Sequence, residues 1–298
     1  MEQKRLSKNL DINKFFEYKS FSFIDSKIDS ISELSSAFGC SCKKIILKNK
    51  KKFVIKIQNS FNSKKYLSVY YEGKSLQNMN KRFNNLFPKI FHLEKNLFIM
   101  EWKEHNNLIN EQSEDELALN LAKIHSVKNN NFGYDYNSPI GGLEQPCEFT
   151  KSWISFFRSK RLKMIADEIN KVEELPKEIN LGLEKILTKL EKFIPESNSP
   201  CLIHGDLWSG NILFNNGKLV GLIDPSVYFA INELDLSSLY FLNTVSKDFI
   251  DKYKEHIKIE PGFNERIGIY ELYYALLNVH LWSRNYINQT YEIIKRYV

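Results

Sequence analysis

Apolar and polar positions along the first third of the chain follow the short period of strands. "KKIILK" (43–48) and "KFVIKIQ" (52–58) are β-branched runs joined by a polar turn, which predicts a hairpin. "NLFIMEW" (96–102) predicts a further strand. Between them, "KKYLSVYYEGKSLQNM" (64–79) places Leu67, Tyr70, Tyr71 and Leu76 at helical spacing. Residues 22 to 103 therefore predict a small sheet carrying one helix. After about residue 104 the period lengthens. Ser113 with Glu116 predicts a capping box, and Leu117, Leu121 and Ile124 follow on one face. Residues 152–169 set Trp153, Phe156, Phe157 and Ile165 on one stripe, and 179–194 do so with Leu183, Ile186, Leu190 and Phe193. A loop rich in Asn, Gly and Pro (129–148) separates two helices. The last stretch, from Asn264, is apolar and free of Pro and predicts one or two buried helices. No internal repeat occurs.

One segment interrupts the helical period. "CLIHGDLWSGNILFNNGKLVGLIDPSVYFA" (201–230) reads strand, loop, strand, turn, strand, with Asn215, Asn216 and Gly217 supplying the turn. Asn211 then begins one short strand and Asp224 ends its partner, so a hairpin joins two polar ends thirteen positions apart. An amide and a carboxylate placed this way suit Mg²⁺, which takes hard oxygens and leaves room for substrate phosphates. Asp206, on the preceding loop, is placed to take a proton from a hydroxyl. His204, Asp206 and Asn211 fit the H-x-D-x-x-x-x-N spacing of a kinase catalytic loop, with Asp224 following as a metal carboxylate. For His204 the favoured role is structural, a core histidine supporting the loop. Lys56 alternates with Phe53, Ile55 and Ile57 and faces the other way, with Glu72 sixteen positions on. These two suit a lysine on ATP phosphates and the helix glutamate that holds it. The segment around Met100, Glu101, Trp102 and Lys103 would offer backbone groups to adenine. The amides of Gly39, Cys40 and Ser41 would cover phosphates. "EGKS" (72–75) is not a Walker A motif, since Ser68 stands where its first glycine belongs.

Composition narrows the picture. The chain has 298 residues, 43% of them hydrophobic, enough for one large domain or two modest ones. The net charge of +6 is spread out, and "KNKKK" (48–52) reads as a solvated turn. No alternation of basic and aromatic residues predicts nucleic-acid binding. Four cysteines without a CxxC pair predict neither a disulfide framework nor structural zinc. Cys40 and Cys42 fit inert thiols better than a redox switch. The start has no apolar leader region, and no run is long enough to span a bilayer. A soluble cytoplasmic protein without a membrane partner is expected, with a monomer as the working oligomeric state.

Two stretches carry a resemblance. "HGDLWSGN" (204–211) and "IDPSVYFAINELDLS" (223–237) resemble the fructosamine kinase (ketosamine-3-kinase) family, relatives of the aminoglycoside and choline phosphotransferases. "LALNLAKIHS", "FGYD", a Gly-Gly…Gln-Pro segment, "SWISFFRSKRL" and "PGFNERIGIYELYYALLNVHLW" support it over about residues 35 to 298. The resemblance implies an α+β, two-lobed protein-kinase-like fold: an N-terminal nucleotide-binding lobe (1–102) with a small antiparallel sheet and one helix, and a larger, mainly helical lobe (103–298) for catalysis and substrate. It implies ATP and Mg²⁺, and phosphorylation of a sugar hydroxyl, O3, on a small or protein-linked ketosamine, which frees the amine as deglycation repair. In its terms Asp206 is the base, Asn211 and Asp224 are metal ligands, and Lys56 and Glu72 anchor phosphate. Trp208 and Glu233 would contact substrate. Asp235 would cap a helix and brace the catalytic loop. Where the family commonly shows Tyr-Gly-His-Arg, this chain has Phe229, Ala230, Ile231 and Asn232, a segment expected beside the acceptor. The alternatives are a kinase of the aminoglycoside or choline type acting on a free small alcohol, and an ATP-binding pseudokinase.

Overall fold

The computed structural model describes residues 12–18, 21–60 and 66–298. The sequence start, read as lacking a leader, lies largely outside them, as do the first two residues of the helix expected over 64–79. A short helix, α1 (Ile12–Tyr18), precedes strands β1 (Ile28–Ala37), β2 (Cys40–Leu47) and β3 (Lys52–Gln58). Helix α2 (Ser68–Phe83) follows, then β4 (Ile90–Glu94) and β5 (Leu97–Glu101). The strands form one antiparallel sheet in the order β1-β2-β3-β5-β4.

Successive side chains point to opposite faces of a strand, and β3 shows the consequence. Phe53, Ile55 and Ile57 bury against Ile45, Leu47, Leu97, Ile99 and Ile12 of α1. Val54 joins Val69, Leu76 and Met79 of α2 and Phe98 and Met100 of β5 on the other side. Lys56 shares the parity of Val54, so the strand alternation that singled it out holds. The 48–52 turn is solvated as read: Lys50 reaches Asp29 at 3.2 Å and Lys51 pairs with Asp25, both on exposed surface.

The rest is mainly helical. In chain order come α3 (Ser113–His125), β6 (Ser138–Ile140), β7 (Leu143–Gln145), α4 (Trp153–Phe157), α5 (Met164–Val172) and α6 (Lys177–Thr188). Then come β8 (Cys201–Ile203), β9 (Ile212–Asn215), β10 (Lys218–Leu222), β11 (Tyr228–Ala230), α7 (Asn232–Phe241), α8 (Phe249–Lys254), α9 (Phe263–Leu281) and α10 (Tyr286–Ile294). β9 pairs with β10, β8 with β11 and β6 with β7, each antiparallel. The expected apolar stripes are buried: Trp153, Phe156, Phe157 and Ile165, and Leu183, Ile186 and Leu190, share one core with α9.

Three local expectations are corrected. Ser113 does not cap α3 but opens it; its hydroxyl donates to Gly217 O at 2.9 Å, and the Glu116 carboxylate accepts from Leu219 N at 2.6 Å. The would-be capping groups tie the helix to the β9–β10 hairpin instead. Helix 152–169 is broken by a π-helical turn over Arg158–Lys163, which turns Arg161 into the core between the rings of Phe156 (4.6 Å) and Tyr228 (4.0 Å). Inside the 129–148 loop, β6 and β7 form a hairpin whose turn is Gly141-Gly142, both with positive φ. Among the described residues no helix is long and apolar enough to cross a membrane.

Candidate active site

β8 delivers the chain into the loop that begins at His204. Gly205 has φ +84°, and a Cβ there would come within 2.0 Å of Ser226 O, so the close pass of the loop over that backbone needs glycine. Asp235, buried in the first turns of α7, accepts from His204 N at 2.7 Å and Gly205 N at 2.9 Å; His125 Nε2 lies 3.1 Å from the same carboxylate. Asp235 thus ties α7 to the loop. It caps no helix: the N-cap position is Ile231, without a side-chain bond. His204 accepts from Asp206 N at 3.3 Å through Nδ1, and burial pulls its pKa down to about 4, which favours the neutral ring.

The loop presents Asp206. Burial, and then the charge of Asp224, push its carboxyl up to about 7. Asn211 donates from Nδ2 to Asp206 O at 2.8 Å and Oδ2 at 3.2 Å, which leaves its amide oxygen for another partner. Ile223 N donates to Asn211 O at 3.0 Å, extending the hairpin ladder to the ends where Asn211 and Asp224 stand. Asp224 has φ 52°, uncommon for a non-glycine residue, and its side chain is 37% exposed. Lys56 Nζ donates to both oxygens of Glu72 (2.7 and 2.8 Å) and to Asp224 Oδ2 (3.1 Å). Burial alone would lower the Lys56 pKa, but Asp224 and then Glu72 outweigh it and hold the ammonium well above its usual value. Lys56, Glu72, Asp206, Trp208, Asn211 and Asp224 all line one cleft of about 590 Å³.

The donor set suits Mg²⁺: one partly exposed carboxylate and one amide oxygen, with phosphates to complete the shell. No group of three or more His, Cys, Asp or Glu that could hold a metal by protein ligands alone occurs among the described residues. Trp208 is 38% exposed and borders Asp206 in the cleft; its indole lies against Gly210, where a Cβ would come within 2.3 Å of the ring.

Other predicted site residues stand elsewhere. Gly39 (φ 75°) follows Phe38 (φ 52°) in a two-residue turn of the I′ kind; Phe38 lines the cleft and Gly39 does not. Cys40 and Ser41 do line the cleft, but from within β2, in register with Ala37 and Ser36, and not as a run of free loop amides. Burial raises both β2 thiols, Cys42 to about 12, which disfavours the thiolate at each. Met100 packs in the core, Lys103 Nζ donates to Asn85 O at 2.8 Å beside Glu101 (3.3 Å), and Lys44 Nζ sits 3.6 Å from the Trp102 ring centroid. None of Met100, Glu101, Trp102 and Lys103 lines the cleft. Glu233 is buried, accepts from Arg266 Nε at 2.6 Å and also from Nη2, and does not line the cleft. Phe229 to Asn232 do not line the cleft either; Phe229 and Ala230 belong to β11, which pairs with β8, and Asn232 donates from Nδ2 to Tyr253 OH at 3.0 Å. Sequence reasoning passed over Phe38, Gly142, Trp282 and Tyr286, which line the cleft. Their only sequence signal was the Gly-Gly pair and a tryptophan at the end of a long apolar run.

The model of the fructosamine kinase family matches residues 24–298. A probable ketoamine kinase of Enterococcus faecium is 29% identical over 203 residues, covering 67% of this chain and 71% of that protein. The chloroplastic protein-ribulosamine 3-kinase of Arabidopsis thaliana is 28% identical over 189 residues, covering 61% and 56%. The crystal structure of a candidate fructosamine-3-kinase from Thermobifida fusca superposes with a TM-score of 0.82 over 91% of this chain and 94% of that one, at 20% identity. An ADP-bound aminoglycoside phosphotransferase shares the fold with a TM-score of 0.66 over 96% and 98%, at 16% identity.

Proposed function

The chain belongs to the fructosamine kinase family, and from that premise we propose that it transfers the γ-phosphoryl group of ATP to a sugar hydroxyl, O3, of a ketosamine. The observation that carries the reading is the convergence on one cleft of Asp206, poised near neutrality, and the Lys56–Glu72–Asp224 cluster. In this mechanism Asp206 accepts the hydroxyl proton. The acceptor oxygen bonds to the γ-phosphorus as the bond to the bridging oxygen of ADP breaks. Lys56, aimed by Glu72, holds the α- and β-phosphates. Asn211 and Asp224 would hold Mg²⁺, which when bound neutralises charge on the phosphates. Trp208 would lie along the sugar. The backbone of Glu101 to Lys103 would meet adenine. Asp235 and His204 act by holding the loop, and most of the acceleration comes from positioning and charge stabilisation.

The consequence would be repair: a phosphate at O3 makes the adduct break down and release its amine. The four free cysteines suit work in a reducing cytoplasm. Among the described residues the cleft-lining carboxylates are Glu72, Asp206 and Asp224, so no acidic wall is left over for a polycationic aminoglycoside. Asp206, Asn211 and Asp224 are all present, which speaks against a pseudokinase. The test is Asp206→Asn assayed with ATP and a ketosamine panel: turnover drops about 10³-fold while the thermal midpoint stays near wild type. Near-wild-type turnover in that variant would reject the assignment.

A further inference from the structure

At one end of the cleft the two lobes touch through a pair of aromatic rings. Phe38, at the tip of the β1–β2 turn, meets Trp282, just past α9, with ring centroids 5.2 Å apart at 82°. Both rings stay open to solvent, 39% for Phe38 and 61% for Trp282, so burial in a core does not account for the contact. Phe38 also holds φ 52°, a left-handed conformation that a bulky residue adopts only at a cost. Gly142, at the β6–β7 turn, lies close by: a Cβ there would be 3.3 Å from Phe38 Cβ. Strain, exposure and a cross-lobe contact thus coincide on a cleft wall that also includes Trp208 and Asp206.

The chemistry of that wall selects its occupant. Beyond the catalytic groups it is mostly apolar, with Leu242, Leu277, Leu281 and the Tyr286 ring beside Ser35 and Asn278. Among the described residues Lys56 is the one cation lining the cleft, and Glu72 and Asp224 already hold it. A carboxylate on the acceptor would find no free cation there. A ketosamine whose O3 lies at Asp206 carries its secondary ammonium on C1, two carbon–carbon bonds away. The nitrogen substituent must continue along the cleft. Aromatic faces attract an ammonium, and an apolar wall covers an uncharged alkyl stem.

We propose that Phe38 and Trp282 are specificity-determining residues that receive the amine carrier of the acceptor, their rings covering the alkyl stem on its nitrogen. This rests on the kinase reading above. The test compares two acceptors, a ribulosyl adduct on the ε-amine of a blocked lysine amide and the carrier-free 1-amino-1-deoxyribulose. The readout is the ratio of their kcat/KM values. In Trp282→Ala and Phe38→Ala the preference for the lysine adduct falls about tenfold, the worth of roughly two methylenes returned to water, and Trp282→Phe keeps most of it. A ratio unchanged from wild type overturns the proposal, as does an equal loss on both acceptors or a tenfold rise in the KM for ATP. If the wild type phosphorylates no ketosamine, the kinase reading falls and this one with it. An active wild type with indifferent variants sinks this one alone. Both side chains are exposed, so the variants keep the fold, which thermal unfolding checks.

Discussion

The role proposed for Asp206 follows from where it stands. In water its carboxyl would titrate far below neutrality and be a feeble base. Burial and the nearby Asp224 lift it to about 7, where an acid and its conjugate base are both accessible at working pH. The sign is fixed by the raised value. Below about 7 the carboxyl is protonated and cannot accept the substrate proton. Under saturating ATP, kcat/KM for the acceptor therefore falls about tenfold per unit below that point and levels above it. A flat profile between pH 5.5 and 8 would contradict the role. The spacing of Asp206, Asn211 and Asp224 was legible in the sequence because loop and hairpin are local. The bond from Asn211 Nδ2 to Asp206, which frees the amide oxygen for a metal, was not.

At the scale of elements, single side chains lock one segment to another. Asp235 of α7 bridges to the loop after β8 through two backbone amides. Two residues earlier on the same helix, Glu233 grips Arg266 of α9 in a pair whose side chains are each 6% exposed. Glu233→Ala strands that arginine in the interior and costs about 3 kcal/mol, since an uncompensated buried charge is expensive. Urea unfolding reads this as a lower midpoint, while the KM for the acceptor stays at its wild-type value. A selective rise in that KM, with stability intact, would return Glu233 to the substrate site. The sequence showed the acidic pair in the first turns of α7 but not which way each pointed, because a glutamate aimed at a sugar and one aimed at an arginine look alike along the chain. The π-helical turn before α5 was hidden likewise: the stripe of Trp153, Phe156, Phe157 and Ile165 survives it, and the turn shows only in how Arg161 is buried.

For the molecule as a whole, the cleft lies where sheet and helices share a core. Val54, Phe98 and Met100 of the sheet pack in one cluster with Leu121, Leu207, Ile212 and Leu222, so the lobes hold together behind the site while Phe38 and Trp282 touch in front. A ligand that bridges the lobes should stabilise the folded chain by mass action. ATP with Mg²⁺ at about 100 times its Kd adds about 2.7 kcal/mol, seen as a raised Tm. EDTA removes the shift, and Asp224→Ala never shows it; a shift that survives chelation would break the link to the metal. The sequence alone determined the strand and helix periods, the position of Lys56 on the inner parity of β3, and the catalytic spacing from His204 to Asp224, because each is set by covalent distance along the chain. Only the tertiary structure decided that Glu233 serves α9, that Lys44 stands on the Trp102 ring, and that Phe38 closes against Trp282. Those contacts depend on how whole faces pack, and no local run of residues specifies which distant surface it will meet.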